Sequence, residues 1–130
     1  NRSFNQGNNY PYYQAPLNCY EHVFHFVKPS DVAPLSLPDV VHIKPVYKIV
    51  KGENILGHTA PFPKGIPSLI LRNLSSEDYI LDPYSGSFTT ARAACEYGVK
   101  SVSIEFDKKY CELGIRLLKQ EIADSPILFG

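Results

Sequence analysis

The feature that most constrains this chain is an alternation of helix-like and strand-like segments after residue 57. Apolar positions at helical spacing predict a helix over Ile66–Leu74, and Tyr79–Leu81 has the composition of a short strand. A helix over Thr89–Tyr97, a strand over Lys100–Phe106 and a helix over Lys108–Glu121 follow. Helices that alternate with strands are typical of a parallel sheet covered by helices. The sequence therefore predicts an α/β fold.

The first of these strands runs into a polar turn that contains one glycine, Asp82-Pro83-Tyr84-Ser85-Gly86-Ser87. In doubly wound sheets, ligands bind outside the carboxyl ends of the strands, which is where this turn is expected to lie. Gly86 allows the backbone to approach a ligand closely. Four residues, Ser85, Ser87, Thr89 and Thr90, offer hydroxyl groups and helix-start amides to such a ligand. Simple helix capping is the alternative role for Ser85, Ser87 and Thr89.

An acid, Glu105, closes the second strand. A carboxylate at this point suits the paired hydroxyls of a ribose, and Phe106 beside it can pack on an adenine ring. A dinucleotide is disfavoured because its pyrophosphate needs the three glycines of G-x-G-x-x-G, and because Asp82 would repel phosphate. Asp82 suits an ammonium group instead. A ligand with an amino-acid tail and an adenosine, S-adenosylmethionine, satisfies both ends of the site.

These residues resemble the cofactor motif of DNA methyltransferases that modify exocyclic amines, in which D-P-F-x-G-S-G-T-T is common. Residues 81–91 carry this similarity, and Val102–Phe106 resembles the following strand with its ribose-binding acid. Upstream, His58–Pro63 resembles the family segment H-P-x-x-F-P, and Tyr20–Lys28 resembles the strand E-x-I-L-x-F-x-K. The order matches the permuted beta class, in which the catalytic half precedes the cofactor half.

The resemblance implies a partial, Rossmann-like fold of the S-adenosylmethionine-dependent methyltransferases, of which this chain is the cofactor-binding half. It also implies a set of cofactor contacts, in which Phe62 forms a wall of the pocket, with plain loop packing as the alternative. The residues assigned to the cofactor are Thr59, Phe62, Asp82, Pro83, Ser85, Gly86, Ser87, Thr89, Glu105 and Phe106.

Two features depart from the family pattern. Phe88 stands where the family often has glycine. The catalytic motif (Asp/Asn/Ser)-Pro-Pro-(Tyr/Phe) does not occur in the sequence, because Asp82-Pro83-Tyr84 has a single proline and belongs to the cofactor turn. We therefore assign no catalytic residue. The chain opens on Asn1 and contains no methionine, so we expect a piece of a longer protein whose missing N-terminal catalytic half is its partner.

The reaction implied by the resemblance is site-specific methylation of an exocyclic amine of cytosine or adenine in DNA, as in restriction–modification. The target base is flipped from the duplex into a pocket. Oxygens of the absent motif accept the amine hydrogens and steer its lone pair at the sulfonium methyl, so that positioning is the main catalytic contribution. Two alternatives stay open: a non-catalytic cofactor-binding subunit of a split methyltransferase, and a methyltransferase that acts on RNA or a small molecule.

Because the chain has no formal net charge, we expect contact with DNA only at a local cluster of basic residues. The 13 basic side chains are matched by 13 acidic ones, so the formal net charge is zero. Lys44, Lys48 and Lys51 lie in a proline-broken stretch that is either an edge strand or an extended loop. We predict that these lysines contact DNA, and a lysine-guarded strand edge is the alternative. A homodimer is left open.

The remaining composition sets the class of protein. The length of 130 residues and an apolar fraction of 44% fit one globular domain. No apolar run reaches the roughly 18–20 residues of a membrane span, and no signal-peptide pattern is seen. Three separated cysteines predict reduced thiols in a cytoplasmic protein. His22 and His25 would face opposite sides of a strand, which disfavours a metal site.

We divide the chain into four parts. Residues 1–19 form an irregular aromatic and polar segment, and residues 20–56 form the end of a catalytic-half sheet with a short target-recognition loop. Residues 57–125 form the cofactor-binding α/β part, and residues 126–130 form a tail.

Overall fold

The computed structural model describes residues 22–28, 38, 40–44, 46, 49–50, 53–54 and 62–124. The chain divides into two compact units, residues 1–34 and residues 35–130. The elements of the second unit are, in chain order, β1 (Ile49–Val50), β2 (Glu53–Asn54), α1 (Gly65–Leu71), β3 (Tyr79–Asp82), α2 (Thr89–Tyr97), β4 (Lys100–Ser103) and α3 (Lys108–Asp124). Strands β1 and β2 pair antiparallel, whereas β3 and β4 pair parallel.

Strands β3 and β4, with α2 between them, form the β–α–β unit that organises the second part of the chain. The register pairs Tyr79 with Lys100 and Asp82 with Ser103. Parallel neighbours require a crossover connection, and α2 supplies it. Because the strands are parallel, both of their carboxyl ends lie at the same edge of the sheet. The predicted α/β fold is confirmed.

Helix α2 packs against both strands and against α1 and α3. Its inward side is lined by small residues, since Ala93 and Ala94 are fully buried and Ala91 is nearly so. With Leu71 of α1 and Val99 they form the core, against which Ile80 and Leu74 pack. Small side chains on α2 allow the neighbouring elements to approach closely.

Charged side chains join the three helices at their outer surface. The Lys64 ammonium lies 2.7 Å from a carboxylate oxygen of Glu96 in α2 and 2.6 Å from one of Glu121 in α3. Arg92 adds a contact of 3.2 Å to Glu121. Burial alone would raise the pKa of Glu121, but the hydrogen bond and charge of Lys64, together with Arg92, outweigh burial and lower it.

The face of the two-stranded sheet that points away from α2 is apolar and exposed. It consists of Tyr79 and Leu81 on β3, with Val102 and Ile104 at and beyond β4, and these side chains are 48–68% exposed. Their alternation with the inward-facing Ile80 follows from the two-residue period of a strand. We call these four residues the bare sheet face. Parallel sheets are ordinarily covered on both faces.

The helix boundaries follow the sequence closely. Helix α2 has the predicted bounds, and α3 continues three residues past the predicted end at Glu121. Helix α1 ends earlier than predicted, at Leu71, because the amides of Asn73 and Leu74 bond to carbonyls three residues back and tighten the last turn. Among the described residues, no helix is both long and apolar enough to cross a membrane.

Two strand predictions need correction. Strand β4 ends at Ser103 rather than Phe106, because its partner β3 ends at Asp82. The predicted strand over Tyr20–Lys28 is wrong for residues 22–28, which carry no strand pairing. The expected alternation of side chains is still seen there. The ring centroids of His22 and Phe24 lie 6.0 Å apart, and those of Phe24 and Phe26 lie 6.4 Å apart. Alternation makes a segment suited to a sheet, but strand structure also requires a partner to bond with.

Candidate functional site

The carboxyl ends of β3 and β4 are joined by backbone hydrogen bonds that continue past the strands. The Ile104 amide donates to the Asp82 carbonyl at 2.9 Å, and the Ser85 amide donates to the Ile104 carbonyl at 3.0 Å. These bonds fold the turn after β3 over the end of β4. Asp82 and Glu105, which are 23 positions apart in the sequence, therefore meet at one edge of the sheet.

Asp82 ends β3, and its carboxylate is held at both oxygens. One oxygen accepts the Tyr84 amide at 3.1 Å, and the other accepts the Thr90 hydroxyl at 2.6 Å. The side chain is half-buried. The carboxylate is thus fixed between the turn and the first turn of α2, with part of its surface open.

Glu105 connects the turn to the loop that follows β4. One carboxylate oxygen accepts the Gly86 amide at 2.7 Å, and the other accepts the Asp107 amide, also at 2.7 Å. The amide of Asp107, and then that of Gly86, lower the pKa of Glu105 because they stabilise its ionised form. Gly86 adopts a positive φ of 50°, which allows its amide to point at this carboxylate.

The hydroxyls of the turn point inward. Ser85, Ser87 and Thr89 are only 2–3% exposed. The Ser85 hydroxyl donates to the Asp82 carbonyl at 2.7 Å, and those of Ser87 and Thr89 lie 3.5 Å apart. These three side chains therefore shape the turn from inside, and their backbone groups are what they can offer to a ligand.

Phe88 precedes α2 in a left-handed conformation, with φ 59° and ψ 37°. Few residues other than glycine adopt this conformation readily, which fits the glycine in the family motif that this turn resembles. Here Phe88 is 8% exposed, and its ring lies against Gly114 of α3, where an added Cβ would be 2.5 Å from the ring. The missing side chain of Gly114 makes room for the ring.

Two aromatic side chains are exposed on the loops that follow β3 and β4. Phe106 is fully exposed, Tyr84 is 87% exposed, and Pro83 is also exposed. Phe106 follows Glu105 directly. Its exposed ring therefore offers a surface, next to the Glu105 carboxylate, on which a flat apolar group can stack.

The other predicted residues are distributed as follows. Phe62 is half-buried ahead of α1, and Lys44 is exposed next to Ile43, whose side chain reaches the start of α1 at Gly65. Thr59, Lys48 and Lys51 lie outside the described residues.

Two polar residues at this edge, Thr90 and Ser103, were not among the residues assigned to the cofactor from the sequence. Thr90 bonds to Asp82, as described above. Ser103 is the register partner of Asp82, and within the described part of the chain its buried hydroxyl has no hydrogen-bond partner. The second Thr of the Thr89-Thr90 pair was visible in the sequence, but a repeated residue type does not tell which member faces the acid.

Residues 5–116 match the N6/N4 family described as DNA methylase. The match covers most of the chain, which therefore belongs to this family of DNA methylases. This agrees with the resemblance found in the turn and in the strand that follows it.

Named relatives match the chain over shorter or longer stretches. The type II beta methyltransferase M.BslI of Bacillus sp. (strain NEB-606) is 44% identical in an alignment that covers 87% of this chain and 14% of M.BslI. The DNA adenine methyltransferase YhdJ of Escherichia coli (strain K12) is 40% identical over 38% of this chain and 17% of YhdJ. The orphan methyltransferase M.BamHII of Bacillus amyloliquefaciens is 35% identical over 50% of this chain and 25% of M.BamHII. The chain thus spans a quarter or less of the length of these relatives.

A solved structure is also similar. It is a protein of Thermus thermophilus, described as a putative DNA modification methylase and complexed with S-adenosyl-L-methionine. The two share 29% sequence identity with a TM-score of 0.46, over 50% of this chain and 28% of that one.

Proposed function

We propose that this chain is the cofactor-binding part of a methyltransferase that acts on an exocyclic amine of cytosine or adenine in DNA, with S-adenosylmethionine as methyl donor. The observation that carries the proposal is the meeting of Asp82 and Glu105 around the Gly86 turn, at the carboxyl ends of adjacent parallel strands. Family membership over residues 5–116 supports the reaction class. In this scheme residues 57–125 hold the cofactor.

The residues at this edge fit S-adenosylmethionine. The two oxygens of Glu105 accept the amides of Gly86 and Asp107, and a carboxylate has about four acceptor sites, so Glu105 keeps acceptor capacity for the hydroxyls of a ribose. Asp82 keeps acceptor capacity in the same way for an ammonium group. Phe106 offers an open ring face for adenine. The cofactor would supply a methyl group on a sulfonium centre, and this chain's residues would bind and orient it.

The catalytic motif has to come from elsewhere, and we propose that its carrier covers the bare sheet face. Leu81 is 60% exposed and its register partner Val102 is 48% exposed, on a parallel pair of strands whose other face is covered by α2. The named relatives extend far beyond the matched region, so they contain additional chain that such a face can receive. Lys44, exposed ahead of α1, remains our proposed DNA contact, with Lys48 and Lys51.

Calorimetric titration with S-adenosylmethionine tests the cofactor site. We expect binding by the parent chain, and Glu105→Gln to weaken it about tenfold, because glutamine replaces an acceptor oxygen by a donor nitrogen. Glu112→Gln is the matched control, since Glu112 is an exposed carboxylate on α3. A chain that does not bind, or an affinity that Glu105→Gln leaves unchanged, would contradict the proposal.

Methyl transfer is tested by mixing. The chain alone should leave DNA unmethylated, and adding an N-terminal half that contains the (Asp/Asn/Ser)-Pro-Pro-(Tyr/Phe) motif should restore transfer of radiolabelled methyl groups to DNA. Methylation by this chain without the other half would refute the proposed division of roles.

A further inference from the structure

The hydroxyl of Thr90, the second residue of α2, forms its hydrogen bond outside the helix. Threonine within a helix commonly bonds back to the carbonyl three or four residues earlier. Thr90 instead donates at 2.6 Å to the carboxylate of Asp82, eight positions earlier and outside α2. The donor is unambiguous, since a carboxylate oxygen accepts. Thr90 is only 7% exposed, so solvent competes weakly for this hydrogen.

The bond decides how the Asp82 carboxylate is oriented. Its other oxygen accepts the Tyr84 amide at 3.1 Å, a longer contact from a backbone group. The two donors bond to different oxygens and belong to different segments, one to the turn and one to α2. With both in place, the carboxylate plane cannot rotate without breaking a hydrogen bond.

We infer that Thr90 is a positioning residue that orients Asp82 toward the ammonium group of the cofactor's amino-acid tail. This inference rests on the proposed function. A hydrogen bond to a charged acceptor is stronger and more directional than one between neutral groups. Loss of the Thr90 hydroxyl therefore leaves the charge of Asp82 in place but allows its carboxylate plane to rotate.

The role predicts a difference between two ligands. S-adenosylhomocysteine carries the amino-acid tail and its ammonium group, whereas 5′-methylthioadenosine has the same adenosine and lacks that group. A residue that acts through Asp82 should affect binding of the first ligand and not of the second. A residue that merely holds α2 against β3 should affect both.

The test measures the dissociation constants of both ligands by calorimetry for the parent chain, Thr90→Val and Thr90→Ser. We expect Thr90→Val, which keeps the shape and removes the hydroxyl, to weaken S-adenosylhomocysteine about tenfold and 5′-methylthioadenosine less than about twofold. Thr90→Ser, which keeps the hydroxyl, should match the parent for both ligands. Adding Thr90→Val to Asp82→Asn should cause little further loss, because the two residues act as one unit.

Other results would overturn the inference in distinguishable ways. Equal weakening of both ligands by Thr90→Val, an unchanged affinity, or a loss in Thr90→Ser would refute the positioning role and leave the cofactor site standing. If Thr90→Val fails to fold, Thr90→Ser and the Asp82→Asn variant decide, since a full tail-specific loss in Asp82→Asn with parental affinity in Thr90→Ser supports the role. Binding of neither ligand by the parent chain would overturn the proposed function itself, and this inference with it.

Discussion

At the scale of single residues, the site depends on carboxylates that bond to backbone amides. Glu105 is bound by the amides of Gly86 and Asp107, which belong to two different loops. Glu105 thus joins the two loops through the chain's own hydrogen bonds, which hold the proposed cofactor site together. Pre-organisation of this kind reduces the ordering cost of binding.

The Glu105 contacts predict a pH dependence of stability. Because the folded-state pKa of Glu105 is lowered from its ordinary value of 4.5, its stabilising contribution is present above that value and is lost as the pH falls through the lowered folded pKa. Glu105→Gln should be less stable than the parent at neutral pH, and the gap should close in acid. Urea unfolding between neutral pH and about pH 3 measures this gap.

Glu112→Gln again serves as the control, because it changes the same charge at an exposed position of α3. A stability difference between parent and Glu105→Gln that stays constant down to the lowest pH would contradict a stabilising role of the ionised Glu105 carboxylate.

At the scale of elements, α2 and α3 are fitted together through one aromatic ring. Phe88 accepts a left-handed backbone, and its ring packs where Gly114 has no side chain. The backbone strain of Phe88 is of order 1–2 kcal/mol, which burial of an aromatic ring can offset. Gly98, after α2, also has a positive φ, of 66°, but no atom lies within 4 Å of an added Cβ.

The two glycines predict separable costs. Gly114→Ala should destabilise by about 1–3 kcal/mol through the clash with Phe88. Gly98→Ala should cost about 1 kcal/mol through backbone strain alone. In a Phe88→Ala background the first cost should nearly vanish and the second should persist. Urea unfolding of the six chains measures these differences, and equal costs of Gly114→Ala in both backgrounds would refute the proposed fit.

At the scale of the whole molecule, the bare sheet face is an exposed apolar surface on one side of β3 and β4. A two-stranded sheet is marginal without further strands or packing partners. Helix α2 packs on one face of the sheet and is one such packing partner. The exposed Leu81 and Val102 lie on the other face, where we expect a second partner. The zero net charge is that of a chain that spans a quarter or less of the length of its named relatives, so it carries no argument against DNA contact.

The bare sheet face predicts a specific effect on association. Leu81→Lys and Val102→Lys should fold like the parent, because both positions are exposed, yet each should weaken association with the catalytic half by about tenfold or more. Ile70→Lys is the matched control, as Ile70 is 41% exposed on α1. Sedimentation of mixtures measures association. Equal effects of all three substitutions, or none, would contradict this use of the face.

Sequence patterns predicted the order and kind of the elements from residue 57 onward, because helix and strand periodicity is a local property of the chain. They also located Asp82 and Glu105, since acids at strand ends are visible without any contact. The strand predicted over Tyr20–Lys28 was wrong for residues 22–28, since pairing depends on a partner that a single segment does not specify.

Which groups meet at the site was settled by the tertiary structure. Tertiary packing turned the hydroxyls of Ser85, Ser87 and Thr89 inward, made Thr90 the residue that bonds to Asp82, and placed Phe88 against Gly114. The Thr90–Asp82 bond and the Phe88–Gly114 contact join positions that lie 8 and 26 residues apart in the chain. The sequence carries the alternation and the acids because they arise within a few residues, whereas contacts across 8 to 26 positions exist only once the helices and strands have packed.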